Sequence, residues 1–208
     1  MRSPLTRRAF LQAGGVAAGG LLLEARTPAV AQHSRAWTRP GGAVPIGEWW
    51  AGGGPRPAPS VIAITGPDEP GEPLLMSGTV YAADGVTPLQ GVTVYVYQTD
   101  VHGLYNPEGK FGIPHRLRGW VNTDRNGCYE FRTIKPGHYP NRTTPAHIHM
   151  TVSRHDMPEW WLPEIRFAGD PLLTQADYAA SSNDGRFGDI VTTTRRGGIL
   201  RCTRDVRL

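Results

Sequence analysis

The sequence predicts an all-β protein, an antiparallel β-sandwich with long loops, and three observations predict it. Apolar residues alternate with polar or aromatic ones in short runs, most plainly in Val92-Thr93-Val94-Tyr95-Val96-Tyr97. Period two is the signature of a strand with one buried face and one outer face. Glycine, proline and Asn/Asp clusters interrupt the chain at short intervals, which suits strands and sharp turns. No segment carries a sustained apolar stripe at helical spacing.

In chain order, residues 61–64 read as a first strand. Residues 75–82 and 91–98 follow, separated by the turns Ala83-Asp84-Gly85 and Pro88-Leu89-Gln90-Gly91. In the second of these strands the valines share one face, and Thr93, Tyr95 and Tyr97 share the other. Residues 118–123 and 128–133 are expected to form a hairpin across Asp124-Arg125-Asn126-Gly127, because Asn-Gly accepts the positive φ of a tight turn. A strand starts at His147 and runs to about residue 153, residues 154–158 turn, and residues 160–167 form one further strand ended by Ala168-Gly169-Asp170-Pro171. Residues 174–188 are polar and loop-like, with a turn of helix around 175–179. Residues 190–194 and 199–203 close as a hairpin across Arg195-Arg196-Gly197-Gly198. Roughly seven to nine short strands at this spacing build a sandwich or barrel.

Only residues 61–208 belong to that domain. Residues 1–31 read as an export leader: Arg2, Arg7 and Arg8 precede an apolar, small-residue run, and Ala29-Val30-Ala31 is a small-x-small cleavage site. The Arg7-Arg8 pair points to the twin-arginine route, which implies an extracellular or periplasmic protein. The apolar run is broken by Gly14, Gly15, Gly19 and Gly20 and is too short to span a bilayer, so no transmembrane anchor is expected in the mature chain. Residues 32–60 are rich in Gly and Pro and carry Trp37, Trp49 and Trp50. They read as a linker or arm, with the tryptophans either packing along the domain or across a partner in a homo-oligomer, or simply tethering it.

The formal net charge of +4 comes mostly from the leader, whose four arginines and one glutamate supply +3 of it. No basic run is interleaved with aromatics, so a nucleic-acid partner is not indicated. The two cysteines, Cys128 and Cys202, form either one disulfide in an oxidising compartment or two separate thiols.

The chemistry concentrates in Thr143-Thr144-Pro145-Ala146-His147-Ile148-His149-Met150. On a strand His147 and His149 point one way while Ile148 and Met150 point into a core, which makes the imidazoles half of a metal site. Tyr105 and Tyr139 are candidates for the other half; Tyr139 lies eight residues before His147, with a stiff proline-containing turn between them. Taken singly, His-x-His is a common surface pair and a tyrosine a packing residue. As a set, two imidazoles and two phenolates offer hard anionic oxygens that suit a small, highly charged cation. A phenol has a pKa of about 10, so it ligates at neutral pH only where a cation offsets the lost proton. Two phenolates favour Fe(III) over zinc or calcium, with copper left open.

The chain also resembles the intradiol ring-cleavage dioxygenases, of the catechol and protocatechuate type, from about Leu75 to Leu173. The resemblance is carried by Gln98-Thr99-Asp100 with Gly103-Leu104-Tyr105-Asn106, by the run from Phe131 to Pro140, by Pro145-Ala146-His147-Ile148-His149, and by Phe167-Ala168-Gly169-Asp170-Pro171. It implies a β-sandwich holding non-haem Fe(III) through Tyr105, Tyr139, His147 and His149. A catechol would bind as a chelating dianion, with Tyr139 as the ligand that departs and acts as base. O₂ would then cleave the ring between the hydroxyl-bearing carbons to a cis,cis-muconate-type diacid. Two positions depart from the family pattern. Thr144 stands where an arginine usually precedes Pro-Ala-His-x-His, and Glu164 where a glutamine is often found; Arg142 and Arg166 are the nearest cations that could compensate. Removing a group that stabilises a developing anion costs about 2.7–4 kcal/mol in comparable sites. Two other functions therefore stand beside the dioxygenase: an iron- and catechol-binding protein with weak or no turnover, and a structural or carbohydrate-binding sandwich module.

Overall fold

The structure, a computed structural model, describes residues 58–106, 115–141 and 143–208. The leader and residues 32–57 of the arm lie outside the described residues, as does Arg142. Two sheets of six strands face each other. The first orders β1 (Val61–Ala63), β5 (Cys128–Ile134), β2 (Pro73–Tyr81), β11 (Ile199–Thr203) and β10 (Thr194–Arg196), with β12 (Val206–Arg207) also on β2. The second orders β4 (Leu117–Asn122), β3 (Thr93–Gln98), β6 (His147–Arg154), β8 (Ile165–Phe167) and β9 (Ile190–Val191), with β7 (Met157–Trp161) also on β6. This is the expected β-sandwich. The long central pairings, β2–β5 and β3 with β4 and β6, are antiparallel, while the short pairings β1–β5, β11–β2, β12–β2 and β8–β9 are parallel.

The core lies between the sheets. Met76 and Val80 on β2, Val94 and Val96 on β3, Phe131 on β5, and Ile148, Met150 and Val152 on β6 are fully buried there, each worth about 1.5–3 kcal/mol of transfer free energy. The opposite face of β3 is not bare: Tyr95 and Tyr97 are buried too, in a second cluster with Tyr105, Trp120 and Trp161.

Four local expectations are corrected. Residues 118–123 and 128–133 do not pair, because β4 belongs to one sheet and β5 to the other. The Asp124–Gly127 turn forms, with Gly127 at φ 73° and Asp124 Oδ1 accepting from the amides of Asn126 (2.8 Å) and Cys128 (2.9 Å). It carries the chain across the sandwich, since Val121 and Phe131 must both reach the core, and they do so from opposite walls. Residues 160–167 make two short strands. Pro163 cannot donate to a ladder, so β7 pairs with Thr151, Val152 and Arg154 of β6, and β8 resumes against His147 and Ile148. Only residues 194–196 join the closing hairpin, because Ile190–Val191 runs parallel to β8 in the other sheet. The helical turn is a full helix, α1 (Gln175–Asn183), started by a capping box in which Thr174 and Asp177 satisfy each other's backbone amides.

The cysteines do not pair. Cys128 is exposed and free, whereas Cys202 is buried on the core face of β11 with its Sγ 3.6 Å from Met76 Sδ. Residues 58–60, assigned to the arm, lie against the sandwich: Pro59 O accepts from Asn122 N (3.0 Å) and Ser60 O from Glu130 N (2.8 Å).

Candidate metal centre

Half of the site is built on β6. The alternation that sends Ile148 and Met150 into the core puts His147 and His149 on the other face, both buried, with Tyr97 of β3 opposite His149 and Arg166 of β8 opposite His147. His147 Nδ1 lies 2.7 Å from Pro145 O. A carbonyl only accepts, so Nδ1 carries the proton and Nε2 presents its lone pair to the site. The ring of His149 stacks on Tyr97, with centroids 4.4 Å apart.

The other half stands on two loops that back directly onto each other. Asp100 shapes the first: its Oδ1 accepts from the amides of His102 (2.9 Å) and Leu104 (3.0 Å), and its carbonyl accepts from Gly103 N (3.1 Å) and Gly137 N (2.8 Å). Gly103 has φ 79°, and a Cβ there would run into the His138 carbonyl; a Cβ on Gly137 would run into that of Val101. Only glycine allows this approach. Below it, Thr99 Oγ1 donates to Gly137 O (3.0 Å), and the buried Gln98 amide donates to Ile134 O (2.9 Å) and accepts from Thr133 Oγ1 (3.0 Å). A buried network so fully satisfied rigidifies its surroundings.

Asp170 connects the halves. Its Oδ2 accepts from Ala146 N (3.0 Å) at the start of β6 and lies 2.8 Å from His138 Nε2 beside Tyr139; its Oδ1 accepts from Leu172 N (3.0 Å). Burial opposes ionisation of this carboxyl, but the Leu172 amide, His138 and the Ala146 amide outweigh it and hold it below the usual carboxylate range.

The four sequence-predicted donors meet. Tyr105 Oη lies 2.5 Å from Tyr139 Oη and 2.6 Å from His149 Nε2; Tyr139 Oη lies 3.0 Å from His147 Nε2, and the two histidine Nε2 atoms are 3.2 Å apart. Donors about 2 Å from one shared ion would stand at about such separations. Burial first, then the neighbouring Tyr139, pushes the Tyr105 phenol well above its ordinary value, so a cation among these atoms is what would let it ionise. The donor set therefore fits a metal.

Glu164 joins them. The break at Pro163 turns its carboxylate toward both histidines, with Oε1 3.1 Å from His149 Nδ1 and Oε2 3.9 Å from His147 Nε2. His147, His149 and Glu164 are close enough together to hold a metal ion. Burial works against its charge, yet the bond from His149 and the electrostatic pull of His149, His147 and Arg166 outweigh it and lower its pKa. Arg166 already has carboxylate partners. It shares the histidine face of β8, but its guanidinium binds Asp177 (2.6 Å) and Asp189 (2.7 Å), which ties α1 to the sheet. Thr144 is half-buried at the approach to β6. Sequence reasoning missed His115, which stacks on Tyr97 (4.6 Å) and Tyr105 (4.5 Å); no spacing marks it, because its neighbours come from other strands. Tyr97 was legible as an outer-face residue, and only the β3–β6 register shows that it backs His149.

The comparisons with known proteins agree with this geometry. The family model described as Dioxygenase matches residues 54–201. Catechol 1,2-dioxygenase of Acinetobacter baylyi is 31% identical over 166 residues, which cover 71% of this chain and 52% of that protein. Catechol 1,2-dioxygenase 1 of Acinetobacter lwoffii is 31% identical over 152 residues, covering 64% and 47%. The chain thus spans about half the length of the curated relatives it matches. Among solved structures, the dioxygenase domain of a dioxygenase–carbohydrate-binding protein fusion from Streptomyces sp. SirexAA-E superposes with a TM-score of 0.57 at 25% identity, covering 82% of this chain and 98% of that one. The chain belongs to the intradiol ring-cleavage dioxygenase superfamily, of the catechol, protocatechuate and hydroxyquinol type.

Proposed function

We propose that the protein is an exported, non-haem Fe(III) dioxygenase that cleaves a catechol-type ring between its two hydroxyl-bearing carbons, using O₂ and releasing a cis,cis-muconate-type diacid. The observation that carries this reading is the convergence of Tyr105, Tyr139, His147 and His149, whose donor atoms form a ring with neighbours 2.5–3.2 Å apart. These four side chains would hold the metal. Ferric iron would supply Lewis-acid activation of a chelated diol toward O₂.

The rest is done by the chain. Held as a phenolate by the bound cation, Tyr139 would take a proton at Oη from an incoming diol and become a neutral phenol, whose oxygen has Tyr105 Oη and His147 Nε2 within hydrogen-bond reach. The Pro145 carbonyl fixes the His147 tautomer, and the stack on Tyr97 fixes the plane of His149. Both are preorganisation, which needs no rearrangement when charge moves. Export rests on the Arg7-Arg8 leader, and fractionation of the native host tests it.

A second reading, catechol capture without turnover, is favoured by one observation: among the described residues the pocket holds a carboxylate, Glu164, where charge on a developing anion would call for a cation. Iron-loaded protein separates the two. Oxygen uptake matched by diacid formation supports the dioxygenase; a catecholate colour change with no ring opening supports capture. Protein that takes up no iron and shows no tyrosinate colour would overturn both.

A further inference from the structure

The four-donor site lies on the outer face of the second sheet. The outer face of the first sheet, across the core, carries a cleft of about 520 Å³ lined by Pro67, Pro73, Leu75, Arg132, Ile199 and Arg201. The strand register explains its composition. Leu75 of β2 lies opposite Arg132 of β5 on one side and Arg201 of β11 on the other. Residues paired across strands share a face, and the core takes Leu74 and Met76 from the opposite one. The three therefore form one row, a leucine between two cations. Neighbouring strands lie about 4.8 Å apart, so the two arginine Cα atoms stand about 9.5 Å apart.

These cations are poorly offset by the fold. Glu130 reaches Arg132 at 3.5 Å, but Arg132 is mostly exposed, and an ion pair in solvent is worth little. Glu69, also at the cleft, is held by Arg116 through two hydrogen bonds (2.6 and 2.8 Å), and Glu72 is bound to Arg195. Arg201 is half-buried, and its Nε is shut off from solvent with no acceptor among the described residues. A guanidinium desolvated without an anion costs stability, and an anion arriving from outside would relieve that cost.

We propose that this cleft binds a small dicarboxylate with an apolar middle, one carboxylate on each arginine and the hydrocarbon over Leu75, Pro73 and Ile199. The planar fork of an arginine takes a carboxylate through two parallel hydrogen bonds. The leucine between the forks matches hydrocarbon and offers nothing to a hydroxyl, so inorganic phosphate would satisfy one end and leave the apolar floor wet. The site is separate from the four-donor centre and does not rest on the dioxygenase reading. The cis,cis-muconate-type diacid proposed there has the required form, and so does a saturated six-carbon diacid from another reaction.

Calorimetric titration of the full chain tests the proposal, with adipate, cis,cis-muconate, hexanoate and inorganic phosphate as probes and no turnover involved. Adipate should bind at least about tenfold tighter than phosphate or hexanoate, which has the same length and one carboxylate. In Arg201→Gln and in Arg132→Gln the preference for adipate over hexanoate should fall to within about twofold. Muconate binding as tightly as adipate would make the protein's own product a source, and weaker muconate binding would assign the site to a saturated diacid; both support a dicarboxylate site. A wild-type ratio of adipate to hexanoate near one overturns the proposal, whether or not the variants fold, and leaves the dioxygenase reading standing. Adipate affinity unchanged in Arg201→Gln overturns it as well, and a change in tyrosinate colour on adding adipate would then place the diacid at the metal instead.

Discussion

The two halves of the candidate metal centre are built in different ways. The histidines stand on β6, whose other face is pinned by fully buried Ile148 and Met150, so their direction follows from the alternation of one strand. The tyrosines stand on loops whose positions depend on two glycines, the Asp100 carbonyl and carboxylate, and the buried Gln98 amide. A strand half is set by local periodicity, whereas a loop half is set by contacts between segments far apart in sequence. Donors of the first kind should survive any change that leaves the core intact; those of the second kind should be displaced by changes well away from the site.

The sharpest way to break the contrast is Gly103→Val. The φ of 79° and the His138 carbonyl in the path of a Cβ leave no room, and a loss of about 3–5 kcal/mol is expected, read from the denaturant midpoint together with loss of the tyrosinate colour. Ile148→Ala attacks the strand half from behind. It should cost about 2–4 kcal/mol through the cavity it leaves, yet the fraction that remains folded should bind iron with near wild-type stoichiometry. Iron loss from the folded fraction would show that β6 is not the rigid half.

Asp170→Asn loosens the joint between the halves and should cost about 1–2 kcal/mol at neutral pH. The sign with pH follows from its depressed folded pKa. The carboxylate stabilises the fold above its unfolded pKa of about 3.9 and loses that contribution as pH falls through the lower folded value. The gap between wild type and variant, measured by denaturation from pH 7 to 3, should therefore close below about pH 4. Tyr105→Phe should change stability by less than about 1 kcal/mol while weakening one tyrosinate band and iron retention, which resonance Raman and metal analysis would show. The smallest effect belongs to the thiols. Cys128 should react with a thiol reagent in the folded protein, and Cys202, whose burial pushes its pKa up to about 12, only on unfolding. Cys128→Ser should shift stability by no more than about 0.5 kcal/mol.

What could be read from residues alone follows the same division. The direction of His147 and His149 and the valine face of β3 are period-two statements, and both hold. The tyrosines could be nominated from residue type and resemblance, but their meeting point depends on Gly103 and Gly137 touching other loops, which no local pattern records. The Asp124–Gly127 turn shows the limit well. Its chemistry was legible, but whether the chain returned to the same sheet or crossed to the other depended on which wall of the core Phe131 would fill. The aromatic cover of Tyr97 and the placement of Glu164 likewise emerge only once β3, β6 and β8 are aligned.

The two-faced character of β6 also bears on how the family can vary its length. Inserting or deleting one residue between Ala146 and Met150 would exchange the faces, driving an imidazole into the oily interior and an isoleucine toward the two tyrosines. That stretch should admit substitutions but never a change in residue number, so natural lengthening must fall where no side chain keeps count.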